Sequence, residues 1–264
     1  MPAAPPDTTA AYAAQRVPDN NARPRRFSVK VRVKFSKHGV LKFIGHLDVM
    51  RYFQKAIRRA GIDIAYSAGF SPHQIMSFAA PLGVGLESNG EYMDIEVHSL
   101  TSTKEFVDTL NAQMVDGIEV LEARLLPDNA GNAMASVAAA RYTITFREQY
   151  QPAFLTQSAI NDFMSQSEIT VTKKTKKSEA TFDIKPFIYE CSFHEEDHAL
   201  TLTVDASSAN NIKPSLVIKA FYERNQQPFD EFGLLITREE TYTNRGTPDA
   251  VSLIPLGAVG SECK

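Results

Sequence analysis

Cysteine is nearly missing from this chain of 264 residues, which has only Cys191 and Cys263. Two thiols cannot build a disulfide framework, so a reducing compartment is the simpler expectation. Nor can they supply a CxxxCxxC iron–sulfur site or a cysteine-rich zinc site within the chain. No apolar run approaches the roughly 20 residues needed to cross a bilayer. The first residues lack the charged-then-apolar order of a secretory signal. The expected location is therefore cytoplasmic, without a membrane partner. No Gly-x-Ser-x-Gly elbow is present, and neither cysteine has the surroundings of a nucleophile. No cofactor and no metal are expected in this chain.

What is there is an ordinary globular composition, 43% hydrophobic and 22% charged, with a formal net charge of -3. That total conceals a segregation. Residues 27–61 carry nine Lys/Arg and the single acid Asp48, whereas residues 62–130 carry two Lys/Arg and eleven Asp/Glu. A basic surface can exist on a mildly acidic protein when charge is sorted this way.

Residues 1–26 are Ala, Pro, Asn and Asp with scattered Arg, and the expectation is a disordered tail. Val29, Val31, Val33 and Phe35 then alternate with Lys30, Arg32, Lys34 and Ser36, the pattern of a half-buried strand. After Gly45, Leu47, Met50, Phe53, Ile57 and Ala60 recur at helical spacing, with Arg51, Lys55 and Arg58 on another side. Gly61 suits a left-handed stop to this helix, and Asp48 can pair with Arg51. Extended segments at 62–67, 74–79 and 92–97, a helix from 103 and a strand from Ile118 complete a βαββαβ order. After a link at 128–137 the order recurs, with an extra central hairpin.

The expected fold class is α+β: two tandem ferredoxin-like βαββαβ units at 27–127 and 138–245, antiparallel sheets with helices on one face, and a flexible tail at 246–264. Neighbouring first and third strands would set Lys30, Arg32 and Lys34 beside Tyr92, Asp94 and Glu96, neutralising that sheet face. The first helix is then the expected basic surface.

Three groups are candidates for function. His46 and Asp48 open the first helix, where unpaired N–H groups can receive a phosphate and His46 can carry a proton; equally, both can simply orient the helix start. His73 follows Pro72 in a rigid turn, but His46, Asp48 and His73 lack the spacing of a metal-ligand signature. Gly83, Gly85 and Ser88 form a small loop that can cradle a phosphate or serve as a plain turn. It has no Gly-Lys-Ser/Thr ending. Candidate nucleic-acid contacts are Arg51, Lys55, Arg58 and Arg59 on the helix, and Lys173, Lys174, Lys176 and Lys177 on a hairpin that is either a basic arm or a solvated tip.

The segments Gly45-His46-Leu47-Asp48, Arg58-Arg59-Ala60-Gly61, Tyr66-Ser67-Ala68-Gly69-Phe70-Ser71-Pro72-His73, Pro81-Leu82-Gly83-Val84-Gly85 and Glu91-Tyr92-Met93-Asp94 resemble the radical-SAM-linked protein family of uncharacterised function. Asp183-Ile184-Lys185-Pro186 extends the likeness into the second half. Where the family often has proline after the turn histidine, this chain has Gln74. The resemblance implies a partner, a cobalamin-type radical SAM protein encoded beside or fused to such chains, and some members lie near ribonuclease E/G-type genes. Any radical chemistry would belong to that partner. Tandem ferredoxin-like units with a glycine loop are also similar in architecture to RAMP-type CRISPR RNA-binding proteins and endoribonucleases. The expected role is an accessory subunit that presents RNA to the radical SAM enzyme. A pure protein-interaction module and a metal-independent endoribonuclease using His46 and His73 are the alternatives, and a binding surface is favoured over a catalytic centre.

Overall fold

Alternation in the first strand has the consequence it should: Val31, Val33 and Phe35 are fully buried in strand β1 (Val29–Lys37). The computed structural model describes residues 27–174, 179–247 and 250–264. After β1 come helix α1 (His46–Arg59), a short strand β2 (Met76–Phe78), strand β3 (Glu87–Val97), helix α2 (Thr103–Asn111) and strand β4 (Ile118–Leu125). A single helical turn, α3 (Ala133–Ser136), leads into strand β5 (Ala139–Phe146) and helix α4 (Gln157–Met164). Strands β6 (Thr170–Lys174), β7 (Glu179–Asp183), β8 (Ile188–His194) and β9 (Ala199–Asp205) follow. Helix α5 (Pro214–Arg224), strand β10 (Leu234–Asn244) and strand β11 (Leu253–Pro255) complete the chain.

The protein is α+β, built on one large, mostly antiparallel sheet. Its order is β4-β1-β3-β10-β5-β9-β8, with β2 beside β3 and β11 beside β10, while β6 and β7 pair separately. Two large hydrophobic cores lie along it, with a smaller cluster of Ala79, Tyr92, Ala133, Val137 and Leu256. One gathers Val33, Phe35, Phe53, Ile57, Met93 and Leu110, and the other Ile144, Ile160, Phe163, Leu202, Val217 and Phe221. The chain halves are thus joined edge to edge through β3 and β10, the one parallel pairing in this sheet among the described residues. That seam is short, matching Thr237 to Glu87 and Ser88 to Arg238. It is also tight, because a Cβ on Gly90 would lie 2.6 Å from the Cα of Glu240.

The expected register between first and third strands is present: Lys30 faces Glu96, Arg32 faces Asp94 and Lys34 faces Tyr92. Arg32 pairs with Asp94 at 2.7 Å, and Lys34 reaches Glu240 of β10 at 2.6 Å. This face is not an open basic surface. Arg32 is only 1% exposed, since the C-terminal segment crosses over it and the Leu256 carbonyl accepts from its Nη1.

The same observation corrects the expectation of a flexible tail at 246–264. Strand β11 pairs with β10, Leu256 is fully buried, and Ser261 exchanges two backbone hydrogen bonds with Leu125. The apolar residues responsible, Leu253, Ile254 and Leu256, sit among Pro and Gly in a run too short to display a period.

Candidate nucleic-acid interface

Helix α1 separates its faces cleanly. Val49, Phe53, Ala56 and Ile57 turn into the first core, and Arg51, Lys55, Arg58 and Arg59 turn to solvent. Gly61, at φ +68°, provides the left-handed stop expected of it. Asp48 pairs with Arg51 at 3.3 Å, both side chains about two-thirds exposed, an interaction worth little in water. Arg59 donates to the Gln113 carbonyl at 2.9 Å and leans toward the end of α2. Lys55 and Arg58 have no ion pair among the described residues. The outward row Arg51, Lys55, Arg58 is therefore a strip of available positive charge about 10 Å long.

Beside it stands a two-stranded ribbon. Ile64 ties its base to Val97 of β3, and Tyr66 bridges Gln74 within it. At its end Ser67 and His73 close the turn, with the Ser67 N–H donating to the His73 carbonyl at 2.8 Å and the Ser67 hydroxyl 2.8 Å from His73 Nδ1. Gly69 takes φ +113°, and Phe70 at the tip is fully exposed. Gln74 ties the ribbon to α1 by donating to the Gln54 carbonyl at 3.2 Å. Residues 50, 51, 57 and 58 all neighbour Gln54 on the helix, so the ribbon meets α1 at the border between its buried face, with Ile57, and its charged face, with Arg51 and Arg58.

The start of α1 lies elsewhere. Gly45 caps it without a side-chain bond. The His46 ring packs edge-on to Phe78 at 5.0 Å, and burial pushes its pKa below the ordinary histidine value. His46 and His73 thus have separate partners, Phe78 for one and Ser67 for the other. The glycine loop packs on the turn at Gly39–Phe43, where the Gly85 N–H donates to the Lys42 carbonyl at 2.8 Å. This corrects the phosphate-cradle reading: Gly85, at φ +92°, has spent its N–H on the protein. Ser88 is fully buried, donates to the Arg238 carbonyl and accepts from the Gly90 N–H, so it braces the seam and cannot meet a ligand. The packing instead leaves Val40, Phe43, Leu47 and Val84 exposed around the helix start.

Sequence reasoning overlooked a polar network under this end. The Glu87 carboxylate accepts from Lys42 at 3.0 Å, from the Gly39 N–H at 3.2 Å, and lies 3.3 Å from His38 Nδ1. Partial burial raises its pKa, but the bonds from Lys42 and His38 outweigh that and hold it below the usual carboxylate range. His38 Nε2 meets Asn89, which donates to Glu239.

Deeper lie Lys37, Glu91 and Arg238, all nearly buried, with Arg238 Nη2 3.1 Å from Glu91 and 2.8 Å from the Ala80 carbonyl. Burial drives the Glu91 carboxyl up and the Lys37 ammonium down. Among the described residues, Glu91 Oε1 and Arg238 Nε have no hydrogen-bond partner. The available signal was parity: Lys37 continues the inward positions of Val31, Val33 and Phe35.

His194-Glu195-Glu196-Asp197-His198 spells the HExxH string, also overlooked. It forms the turn between β8 and β9, with His194 bonded to Thr201 and His198 at φ +48°, so no helix face presents the two histidines together. Among the described residues no group of three His, Cys, Asp or Glu is placed to hold a metal ion. Cys191 is pushed up to about 12, mainly by burial, and is inert as a thiolate. Lys173 and Lys174 fall on strand β6, and Lys176 and Lys177 lie outside the described residues. No described helix is long and apolar enough to cross a membrane.

A protein-family model described as an uncharacterized protein conserved in bacteria, DUF2344, matches residues 30–214. No curated protein matches the chain.

Proposed function

The chain belongs to this DUF2344 family of uncharacterised bacterial proteins, and from that premise we propose that it is an accessory RNA-binding subunit that presents RNA to a partner enzyme. The observation that carries the reading is the outward row of α1. Arg51, Lys55 and Arg58 are exposed, and among the described residues only Arg51 is paired, weakly, with Asp48. Phosphate contacts need cations held on a rigid element and free of internal partners, which this helix supplies. Each half is read as a ferredoxin-like unit, with strand orders β4-β1-β3-β2 and β10-β5-β9-β8 and helices packed on one side. The partner is proposed to be a cobalamin-type radical SAM protein, on the strength of the sequence resemblance alone.

The test is RNA binding by the full chain across a salt series. Affinity falls linearly with salt on a log–log scale, with a slope of about −0.7 per phosphate contacted for single strands. Replacing Arg51, Lys55 and Arg58 by Ala weakens binding and makes the slope shallower. Absence of RNA binding at low salt sinks the proposal.

A specific observation favours a second reading, a protein-docking module. Val40, Phe43, Leu47 and Val84 expose large apolar side chains around the start of α1, where the Gly85 to Lys42 bond gathers them. The endoribonuclease reading has less support: His46 packs on Phe78, His73 bonds Ser67, and among the described residues no hydrogen bond joins the two histidines for paired acid–base work.

A further inference from the structure

We infer that the ribbon at residues 64–75 is a base-stacking platform, so that the RNA taken by α1 is single-stranded and carries unpaired bases onto Tyr66 and Phe70. This deepens the RNA-binding reading and rests on it. Its own support is geometric. Tyr66 and Gln74 are cross-strand partners, and such partners project to the same side of a ribbon. The Gln74 side chain reaches back to Gln54 of α1, so that side is the one facing the helix. Tyr66 therefore stands exposed on the side of the ribbon that faces α1, the helix that carries Arg51 and Arg58. Four residues farther out, roughly 10 Å along the ribbon, Phe70 is fully exposed at the tip.

Three features suit this tip to a flat aromatic ligand. It is held rather than loose, because Ser67 and His73 close the turn with a backbone bond and two side-chain bonds. Gly69, at φ +113°, lets the chain reverse there. Pro72 stiffens the approach to His73. The Phe70 ring, fully exposed, packs on nothing in the fold and is open to a ligand. The charge beside it decides what that is. A row of exposed cations about 10 Å long, paired only at Arg51 and weakly among the described residues, complements a phosphate chain, and aromatic rings flanking such a row are the means by which proteins hold unpaired bases without reading sequence. A duplex keeps its base faces stacked inside and offers Tyr66 and Phe70 nothing.

The chain contains no tryptophan, which makes Phe70→Trp a unique reporter. The experiment compares a short mixed-sequence RNA single strand with a blunt duplex of the same composition, using the full chain at low salt. Expected results are preferential binding of the single strand, about tenfold weaker after Phe70→Ala and restored by Phe70→Trp. The single strand quenches Phe70→Trp emission and the duplex leaves it unchanged. Duplex affinity is the same for the parent and Phe70→Ala. If the Arg51, Lys55, Arg58 row proves necessary for RNA binding but Phe70→Ala changes nothing, the platform is wrong and the RNA-binding reading stands. If the parent binds neither RNA at low salt, both fall. Phe70 touches no core, so loss of fold does not explain a loss of binding, and unchanged circular dichroism of Phe70→Ala verifies this.

Discussion

Arg32 and Asp94 meet across β1 and β3 in a two-point contact, Nε to Oδ1 at 2.7 Å and Nη2 to Oδ2 at 2.9 Å. The guanidinium is the largest fully buried side chain on the sheet face that the C-terminal segment covers. A bidentate pair of this kind is stronger than a single charged bond, and it is expensive to break from one side only.

Replacing Asp94 by Ala leaves Arg32 buried with the Leu256 carbonyl as its remaining acceptor. The expected loss is about 3 kcal/mol, read as a lower urea midpoint with an unchanged slope. The double variant Arg32→Met with Asp94→Ala recovers part of it, because no uncompensated charge remains. Equal midpoints for Asp94→Ala and the parent would show that water reaches Arg32.

Gly90 has no room for a methyl group, with the Cα of Glu240 2.6 Å and the carbonyl of Glu239 2.7 Å from where it would stand. Gly90→Ala should open the seam and cost about 1–3 kcal/mol in thermal or denaturant unfolding. Gly83→Ala is the control, since its nearest neighbour would be the Leu86 side chain at 3.7 Å. If both variants unfold like the parent, the approach of β3 and β10 is looser than described.

His46 gives a pH dependence of definite sign. Burial favours its neutral form in the folded state, so the unfolded chain binds the proton more readily. Its contribution is therefore complete above the unfolded value, about 6.5, and is lost as pH falls below that. Between neutrality and mild acid the parent should lose more thermal stability than His46→Gln, the difference isolating this group from other titrations. A difference of the opposite sign would mean that protonated His46 has a partner.

The apolar end and the basic row can be separated. Phe43→Asp with Leu47→Lys alters only exposed positions, so stability should move by less than about 0.5 kcal/mol. RNA affinity should stay within about twofold of the parent, since neither residue belongs to the cationic row. Co-purification with the proposed radical SAM partner should disappear. Retained co-purification would remove this surface from the docking reading.

Much of this was legible beforehand where a single period governs a segment. Strand β1 and helix α1 announced themselves by alternation and by helical spacing, and the opposition of Arg32 to Asp94 followed from strand order. The seam was not legible, because Ser88 and Arg238 are 150 residues apart and nothing local marks either as a neighbour of the other. The burial of Lys37 and Glu91 was legible only in part: parity marks Lys37 as inward, but the partner Arg238 that reaches Glu91 comes from β10, far along the chain. The exposure of Phe70 and Val84 ran against the expectation that aromatic and aliphatic residues go inside. Hydrophobic pattern predicts which residues can be buried, not which ones the fold leaves uncovered.

The seam also bears on the order of events during synthesis. Chains are made from the N-terminus, and distant pairings form late because the long loop must close first. Glu91 meets its guanidinium only when Arg238 has emerged, and Arg32 gains its carbonyl cover only with Leu256. A nascent first half can form its own core from Val33, Phe35, Phe53 and Met93, yet its β3 edge near Ser88 remains open and its ionic positions unsettled. Completion waits for β10 and the segment around Leu256, which act as a latch on a first half that is already folded.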